Sequence, residues 1–119
     1  MAERTELSVI TKTYDFLLWS IRKIDSFPRA RKFTLGDRLE NTLLDLLKLL
    51  LQAKYNRAPS VCLQEANLNL QQIRFLMRVA KDLKCMSIKS YEFSSRQIEA
   101  IGAEVGGWLK SYSGSKKRG

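Results

Sequence analysis

The sequence predicts an all-α protein, an antiparallel up-down-up-down four-helix bundle. Three observations predict this fold. Four segments carry apolar residues every three or four positions, breaks of a few residues separate them, and no segment alternates apolar with polar residues as a strand would. With 119 residues, 45% of them hydrophobic, the chain is large enough for one domain with its own core. We assign residues 1–112 to the bundle and expect a basic, disordered tail over residues 113–119.

The first helix is predicted over about residues 7–26. Its apolar residues fall at alternating spacings of three and four, which predicts that one face of the helix packs into the core. These residues are Leu7, Ile10, Tyr14, Leu17, Ile21 and Ile24. Pro28 lacks an N–H group and restricts the residue before it to extended geometry, so we expect the helix to end before this proline.

The second helix, predicted over about residues 35–55, follows a short basic loop at residues 28–34. Thr34 is a candidate N-cap, with Asp37 three residues later. The helix carries two apolar stripes, Leu39, Leu43, Leu46, Leu50 and Ala53 in one and Leu44, Leu47 and Leu51 in the other. Because a helix that is apolar over more than half of its circumference needs partners on several sides, two alternatives follow. Either the helix is central in the monomer, or copies of the chain associate through it.

The third helix is predicted over about residues 60–84, with Pro59 or Ser60 at its start. It presents two faces. The apolar face consists of Leu63, Ala66, Leu70, Ile73, Met77 and Ala80, and the polar, basic face consists of Asn67, Gln71, Arg74, Arg78 and Lys81. The apolar face is expected in the core, and the basic face is expected on the surface.

The fourth helix is predicted over about residues 88–111, with Ser87 or Ser90 as its cap. Its apolar seam consists of Tyr91, Ser94, Ile98, Ile101, Val105, Trp108 and Tyr112. Gly102 and Gly106 lie inside this helix, where a glycine costs roughly 1 kcal/mol relative to alanine. We expect a close approach to a neighbouring helix to compensate.

The composition excludes several classes of function. The chain has no histidine, so it contains neither a Cys–His metal site nor a histidine-dependent catalytic pair. We expect Cys62 and Cys85 to be small buried groups in a reducing cytoplasm. No phosphate-binding loop, transmembrane span or secretory signal is recognisable. We therefore expect no catalytic residue, no metal and no cofactor. A metal-dependent hydrolase would need two carboxylates from distant helices to face each other.

The excess of positive charge is clustered. The net charge is +9, and one cluster consists of Arg22, Lys23, Arg29, Arg31, Lys32 and Arg38, while the other consists of Arg74, Arg78, Lys81, Lys84 and Lys89. In an antiparallel bundle the first and third loops lie at the same end, so we expect both clusters to converge there. Such a surface attracts the phosphate backbone of nucleic acids. Our candidate binding residues are Arg29, Arg31, Lys32, Arg38, Arg74, Arg78, Lys81 and Lys84. For Arg74 and Arg78 the alternative is ion pairing with Asp82 or with acids on neighbouring helices.

Four aromatic residues lie near the basic clusters: Phe27, Phe33, Phe75 and Tyr91. Exposed aromatic rings at such positions could stack on bases, whereas aromatic residues at helical spacing usually belong to the core. Phe33 is the strongest stacking candidate of the four.

The chain resembles the four-helix-bundle proteins that include the accessory variability determinant of diversity-generating retroelements. The segments that carry the resemblance are RARKFTLGDRLENTLLDLLKLLLQA (29–53), LNLQQIRFLMRVAKDLK (68–84) and IGAEVGGWLKS (101–111). The FTLGDRLE run, the IRFLMR segment and the GGWLKS ending are its most specific parts. The same superfamily includes proteins encoded in intervening sequences of bacterial 23S ribosomal RNA genes.

The resemblance implies a bundle that assembles into a homopentameric, barrel-like ring with an electropositive surface. It also implies binding to nucleic acid and to the reverse transcriptase of the retroelement, in support of adenine-mutagenic cDNA synthesis, without catalytic activity of its own. The basic residues of the family's third helix match Arg74 and Arg78 here. The other candidate residues rest on charge alone.

Two functions from different classes follow. The first is a non-catalytic accessory protein that binds the reverse transcriptase and the template RNA or cDNA. The second is a structural interaction bundle, as in the intervening-sequence proteins, whose basic face binds an acidic protein partner.

Overall fold

Four long helices form the protein, as the sequence predicts. The computed structural model describes residues 2–118, with side chains described for residues 6–112, and it contains no strand in that part of the chain. The helices are α1 (Ala2–Asp25), α2 (Asp37–Lys54), α3 (Ser60–Asp82) and α4 (Ile88–Arg118). Each helix packs against two others, in the cyclic order α1, α2, α3, α4. None of the described helices is long and apolar enough to cross a membrane.

The core lies along the axis between the four helices. The predicted core stripe of α2, from Leu39 to Ala53, and the predicted apolar face of α3, from Leu63 to Ala80, are buried throughout. On α4 the seam is buried from Ser94 to Trp108. These faces were predictable because every member is aliphatic, small or aromatic, so burial of apolar area determines which side of each helix turns inward.

The predicted seam of α1 is confirmed in part, since Leu17 and Ile24 are buried, but its first half is displaced around the helix. Leu7 and Tyr14 are about half exposed, at 49% and 50%, whereas Val9 and Phe16 are buried. Two polar residues share this buried face, Thr13 and Ser20. Because hydroxyl-bearing residues occupy core positions, the apolar pattern of the sequence points to the flank of the helix instead of its centre.

Thr13 and Ser20 also differ from the other buried hydroxyl residues. Neither side-chain oxygen has a hydrogen-bond partner in the described part of the chain. By contrast, the hydroxyls of Thr42 and Ser94 each donate to a backbone carbonyl at 2.7 Å, that of Arg38 and that of Tyr91. A buried hydroxyl without a partner costs about 1–3 kcal/mol, so α1 carries a penalty that the other helices avoid.

The segment between α1 and α2 is helical, although the sequence predicted a loop at residues 28–34. A turn of α-helix (Arg29–Arg31) leads into a π-helical stretch (Lys32–Gly36), which we call the π segment. The carbonyl of Pro28 accepts the N–H groups of Arg31 and Lys32. Pro28 therefore caps a helix here as well as ending one: its backbone is extended, at φ −54° and ψ 143°, while its carbonyl accepts the first helical hydrogen bonds.

Thr34 does not cap α2, contrary to the prediction. Its hydroxyl lies 3.5 Å and 3.4 Å from the carbonyls of Ala30 and Arg31, one turn back. The helical hydrogen bonding that begins at residue 28 places Thr34 inside the helical segment, so no free N–H group is available for it to cap. At the start of α4, the predicted cap is present, since the Ser87 hydroxyl oxygen accepts the N–H of Ser90 at 3.1 Å.

Gly36 is the point at which the π segment packs against α1. A Cβ atom on Gly36 would lie 2.7 Å from Cγ2 of Ile24, closer than real side chains approach each other. The close approach expected at Gly102 and Gly106 is not found. A Cβ on Gly102 would make an ordinary contact with Leu70 at 3.9 Å, and one on Gly106 would meet no described atom within 4 Å.

The last helix is longer than predicted. Its backbone is helical to Arg118, so residues 113–118, predicted as a disordered tail, extend α4. Lysine and arginine are good helix formers, and their charges favour the C-terminal end of the helix dipole. Gly119 lies outside the described residues.

We predict that Gly36→Ala lowers the free energy of unfolding by about 1–3 kcal/mol, because the added methyl group overpacks against Ile24. Urea denaturation followed by circular dichroism measures this change. Gly106→Ala is the matched control and should be stabilising by about 0.4–1 kcal/mol, since its site is open. Combining Gly36→Ala with Ile24→Leu, which removes Cγ2, should recover part of the loss. A neutral Gly36→Ala variant would contradict the close contact.

Candidate nucleic-acid interface

Contacts between the helices establish which ends lie together. The Lys12 ammonium lies 2.6 Å from a carboxylate oxygen of Glu104, and the rings of Trp19 and Phe93 are 4.7 Å apart. Because the residue numbers rise along α1 as they fall along α4, these helices are antiparallel. The C-terminal end of α1 is therefore level with the start of α4.

The same geometry relates α3 to α4. The Lys81 ammonium lies 4.7 Å from the centre of the Tyr91 ring, and Gly102 faces Leu70. At the opposite end, the Tyr112 hydroxyl donates to the carbonyl of Arg57 at 3.0 Å. The first and third connections therefore share one end of the bundle, and the second connection lies at the other end.

The structure places the predicted cations at or near the shared end. We call this end, with Arg29, Arg31, Lys32, Arg38, Arg78, Lys81 and Lys84, the basic pole. Five of these side chains are exposed, and Lys32 and Lys81 are partly buried. Arg74 is also partly buried. It lies ten residues before Lys84, about 15 Å along the helix, and so marks the edge of the charged surface that is farthest from the end of the bundle.

Asp82 is the acid that the sequence offered as a partner for the α3 cations. Its carboxylate lies 3.3 Å from the Lys81 ammonium and 3.9 Å from Nε of Arg78. The Arg78 pair is long and exposed on both sides, and such surface pairs contribute about 0–1 kcal/mol. Among the described side chains, no carboxylate lies within 4.0 Å of Arg74 or of the other five cations of the pole. One carboxylate shared between two cations leaves the pole strongly positive.

Lys84 adopts a backbone conformation that is unusual for a residue with a side chain. Its φ is +62°, in the left-handed region where glycine normally ends a helix. The Lys84 N–H bonds to the carbonyl of Lys81 at 2.9 Å, and the Cys85 N–H bonds to that of Ala80 at 2.7 Å. This is the Schellman pattern of helix termination. The lysine side chain is thus held at the end of α3 at a backbone cost of about 1–2 kcal/mol.

The outer surface of α3 carries an apolar face that the sequence analysis did not identify. Val61, Leu68, Phe75 and Val79 are exposed along it. Leu68 and Phe75 line a shallow groove with Gln71 and Gln72. The seven-residue spacing of the first three was the available signal, and the polar residues between them obscured it. We call this surface the α3 apolar face.

A second apolar surface lies on α2. Leu44 and Leu51 of the second stripe are 43% and 41% exposed, so this stripe is not buried within the monomer. With Leu47 and Tyr55 they line a shallow depression of about 460 Å³. The alternative of a central α2 is therefore wrong. We call this surface the α2 apolar face.

The four aromatic residues named from the sequence have different environments. Phe27 is buried, and Tyr91 lies under the Lys81 ammonium. Phe33 and Phe75 are exposed, at 65% and 62%. Burial removes Phe27 as a stacking surface, whereas the two exposed rings have a free face.

The described residues offer no metal site. No group of three or more cysteine, aspartate or glutamate side chains in residues 6–112 lies close enough together to hold an ion. Cys85 is buried and Cys62 is partly buried, and both are free thiols.

Comparison with known proteins identifies a family. A family model described as bAvd-like matches residues 7–112, which is nearly the whole bundle. No curated protein matches the chain.

We predict that Lys84→Gly raises the free energy of unfolding by about 1 kcal/mol, because glycine adopts the left-handed conformation without the steric cost. Thermal or urea denaturation measures the change. Lys84→Arg keeps both the charge and the Cβ atom, so this control should match the wild type. A destabilised Lys84→Gly variant would mean that packing of the lysine stem outweighs the backbone strain.

Proposed function

We propose that this chain, which belongs to the bAvd-like family, is a non-catalytic, nucleic-acid-binding accessory protein of a diversity-generating retroelement. In this role it would bind the template RNA or its cDNA in the cytoplasm and support mutagenic synthesis by the reverse transcriptase. The observation that carries the proposal is the basic pole. Cations from two distant segments meet there, and among the described carboxylates only that of Asp82 lies within 4.0 Å of any of them.

The chemistry of the pole favours phosphate groups over base edges. Arginine forms paired hydrogen bonds to phosphate oxygens, and four of the seven pole residues are arginines. When cations of the protein neutralise phosphates, condensed counterions leave the nucleic acid. Their release supplies much of the binding free energy, so the affinity falls steeply as the salt concentration rises. Binding of this kind suits a protein that must accept templates of varying sequence.

Association between copies is the second part of the proposal. The bundle has two separate apolar faces, on α2 and on α3, and large exposed apolar patches mark interaction surfaces. When the α2 face of one copy packs on the α3 face of the next, the contact is heterologous, and heterologous contacts form a ring when the rotation between successive copies closes. We take the number of subunits, five, from the family resemblance. The reverse transcriptase would then bind the assembled ring.

We predict that Arg74→Ala combined with Arg78→Ala weakens binding to single-stranded RNA and flattens its salt dependence. If each side chain contacts one phosphate, the slope of log K against log salt should become shallower by about 1.4. Fluorescence anisotropy at several salt concentrations measures both quantities.

The matched control for this double variant is Arg57→Ala with Lys110→Ala. It removes the same charge from exposed residues in the opposite half of the bundle. Equal losses in the two double variants would mean that net charge alone attracts the RNA. If the wild-type protein binds an acidic protein but neither RNA nor DNA at low salt, the interaction-bundle function replaces this proposal.

We predict that Leu44→Glu with Leu51→Glu converts the assembly to monomers, because charges cannot be buried in an apolar contact. Leu68→Glu with Phe75→Glu should do the same from the other side. Multi-angle light scattering measures the mass, and circular dichroism confirms that each surface variant remains helical. Ile88→Glu changes an equally exposed residue at the basic pole and should leave the assembly intact.

Mixing the two double variants tests the pairing of the faces. Each retains one intact face that is complementary to the face retained by the other, so the mixture should yield a one-to-one dimer. Two copies of one variant forming a dimer would indicate like-to-like contacts instead. A wild-type protein that is monomeric at micromolar concentration would rule out the ring.

A further inference from the structure

Phe33 has an environment unlike that of any other described aromatic residue near the basic pole. Phe27 is buried, Tyr91 is covered by an ammonium group, and Trp19 and Phe93 pack against each other. Phe33 is 65% exposed and makes no ring contact with a described residue. Fully burying a phenylalanine is worth about 1.5–3 kcal/mol, and most of that gain is forgone here.

Three cations precede Phe33 in the sequence, and the exposed Asp37 follows it by four residues. Arg29, Arg31 and Lys32 precede it within one turn of helix, and none of them has a described carboxylate within 4.0 Å. The other exposed phenylalanine, Phe75, lies in a groove with an exposed leucine, Leu68. An aromatic ring among leucines suits an apolar partner, whereas an aromatic ring among unpaired cations suits a ligand with flat rings and negative charges.

The segment that carries Phe33 is anchored at both ends. Phe27 is buried before it, and Gly36 is buried after it against Ile24. Between these anchors, the Thr34 hydroxyl points back to the carbonyls of Ala30 and Arg31. The ring is therefore presented by an ordered helical turn, and a ligand does not have to order a loop when it binds. π-helical turns of this kind occur frequently at functional sites.

We propose that Phe33 is a stacking platform for an unpaired nucleobase, with Arg31 and Lys32 holding the phosphates on either side of it. The site takes single-stranded RNA or DNA and not duplex, because paired bases do not expose a free face. The inference rests on the proposed function and adds to it the class of nucleic acid that is bound. Stacking accepts every base, so the site does not read sequence.

The test compares two labelled strands of equal length and equal phosphate number, one with bases and one abasic, together with the matching duplex. Fluorescence anisotropy at a single low salt concentration gives each affinity. The wild type should bind the strand with bases about 5-fold to 100-fold more tightly than the abasic strand, the range expected for one stacked base. The duplex presents more phosphates but no free base face, so its affinity should depend on the cations and be unchanged by loss of the Phe33 ring.

Three variants locate the preference. Phe33→Leu keeps an apolar side chain but loses the flat ring, so it should lose most of the preference for bases. Phe33→Trp should retain it. Tyr14→Leu removes a half-exposed ring on α1, outside the pole and both apolar faces, and should behave as the wild type. Circular dichroism verifies that all three are folded.

The outcomes separate the two proposals. Equal binding of the base-containing and abasic strands by the wild type, or an unchanged ratio in Phe33→Leu, overturns the stacking site and leaves the proposed function standing. Loss of the preference in Tyr14→Leu but not in Phe33→Leu also overturns it. No binding to any strand overturns both.

Discussion

The shortness of the connections is the constraint on which the rest of this structure depends. Three residues separate α1 from the helical turn that follows it, and five residues lie between each later pair of helices. Connections of this length can only reverse the chain direction, so alternate connections meet at the same end. Cations near residue 30 and near residue 80 are distant in sequence. They share a surface because the chain has reversed direction three times, and no direct contact between the two clusters is needed.

The buried face of a helix could be predicted from the sequence only where apolar residues occupy all of its core positions. The core sides of α2 and α3 are uninterrupted rows of apolar residues, and the sequence predicted them correctly. On α1, Thr13 and Ser20 occupy core positions, so the visible apolar pattern lay to one side of the true interior. The first connection was misjudged because Pro28 was treated only as a stop. Its fixed φ serves equally well to begin a helix.

The site shows the same division. Convergence of the cations followed from topology alone, so their location could be predicted from the sequence. Their pairing could be predicted only in part: the i,i+4 spacing of Arg78 and Asp82 indicated one pair, whereas the shorter contact of Asp82 with Lys81 depends on side-chain geometry. The exposure of Phe33 agrees with its choice as the strongest stacking candidate, but the π-helical turn that carries it was not predicted. The left-handed conformation of Lys84 was not predicted either, because lysine gives no sign that the chain turns where glycine is the usual residue.

In the proposed ring, apolar faces on the flanks and charges at one end would leave the poles of all subunits side by side. A single strand could then bind several poles at once. After the strand has bound one pole, its effective concentration at the next pole would exceed its concentration in solution.

The two hydroxyls buried without partners on α1 have a consequence for how the bundle opens. Water can solvate Thr13 and Ser20 only when α1 separates from the other helices. Separation of α1 therefore removes the desolvation penalty of these two hydroxyls, which the closed bundle retains. The same helix has much of its apolar seam on the flank, so it gives up less burial when it leaves. Local unfolding should therefore begin at α1, whose amide hydrogens would exchange with solvent before those of α2 and α3. The bundle is thus three well-held helices with a fourth that is the first to detach, and a subunit can loosen without losing its central core.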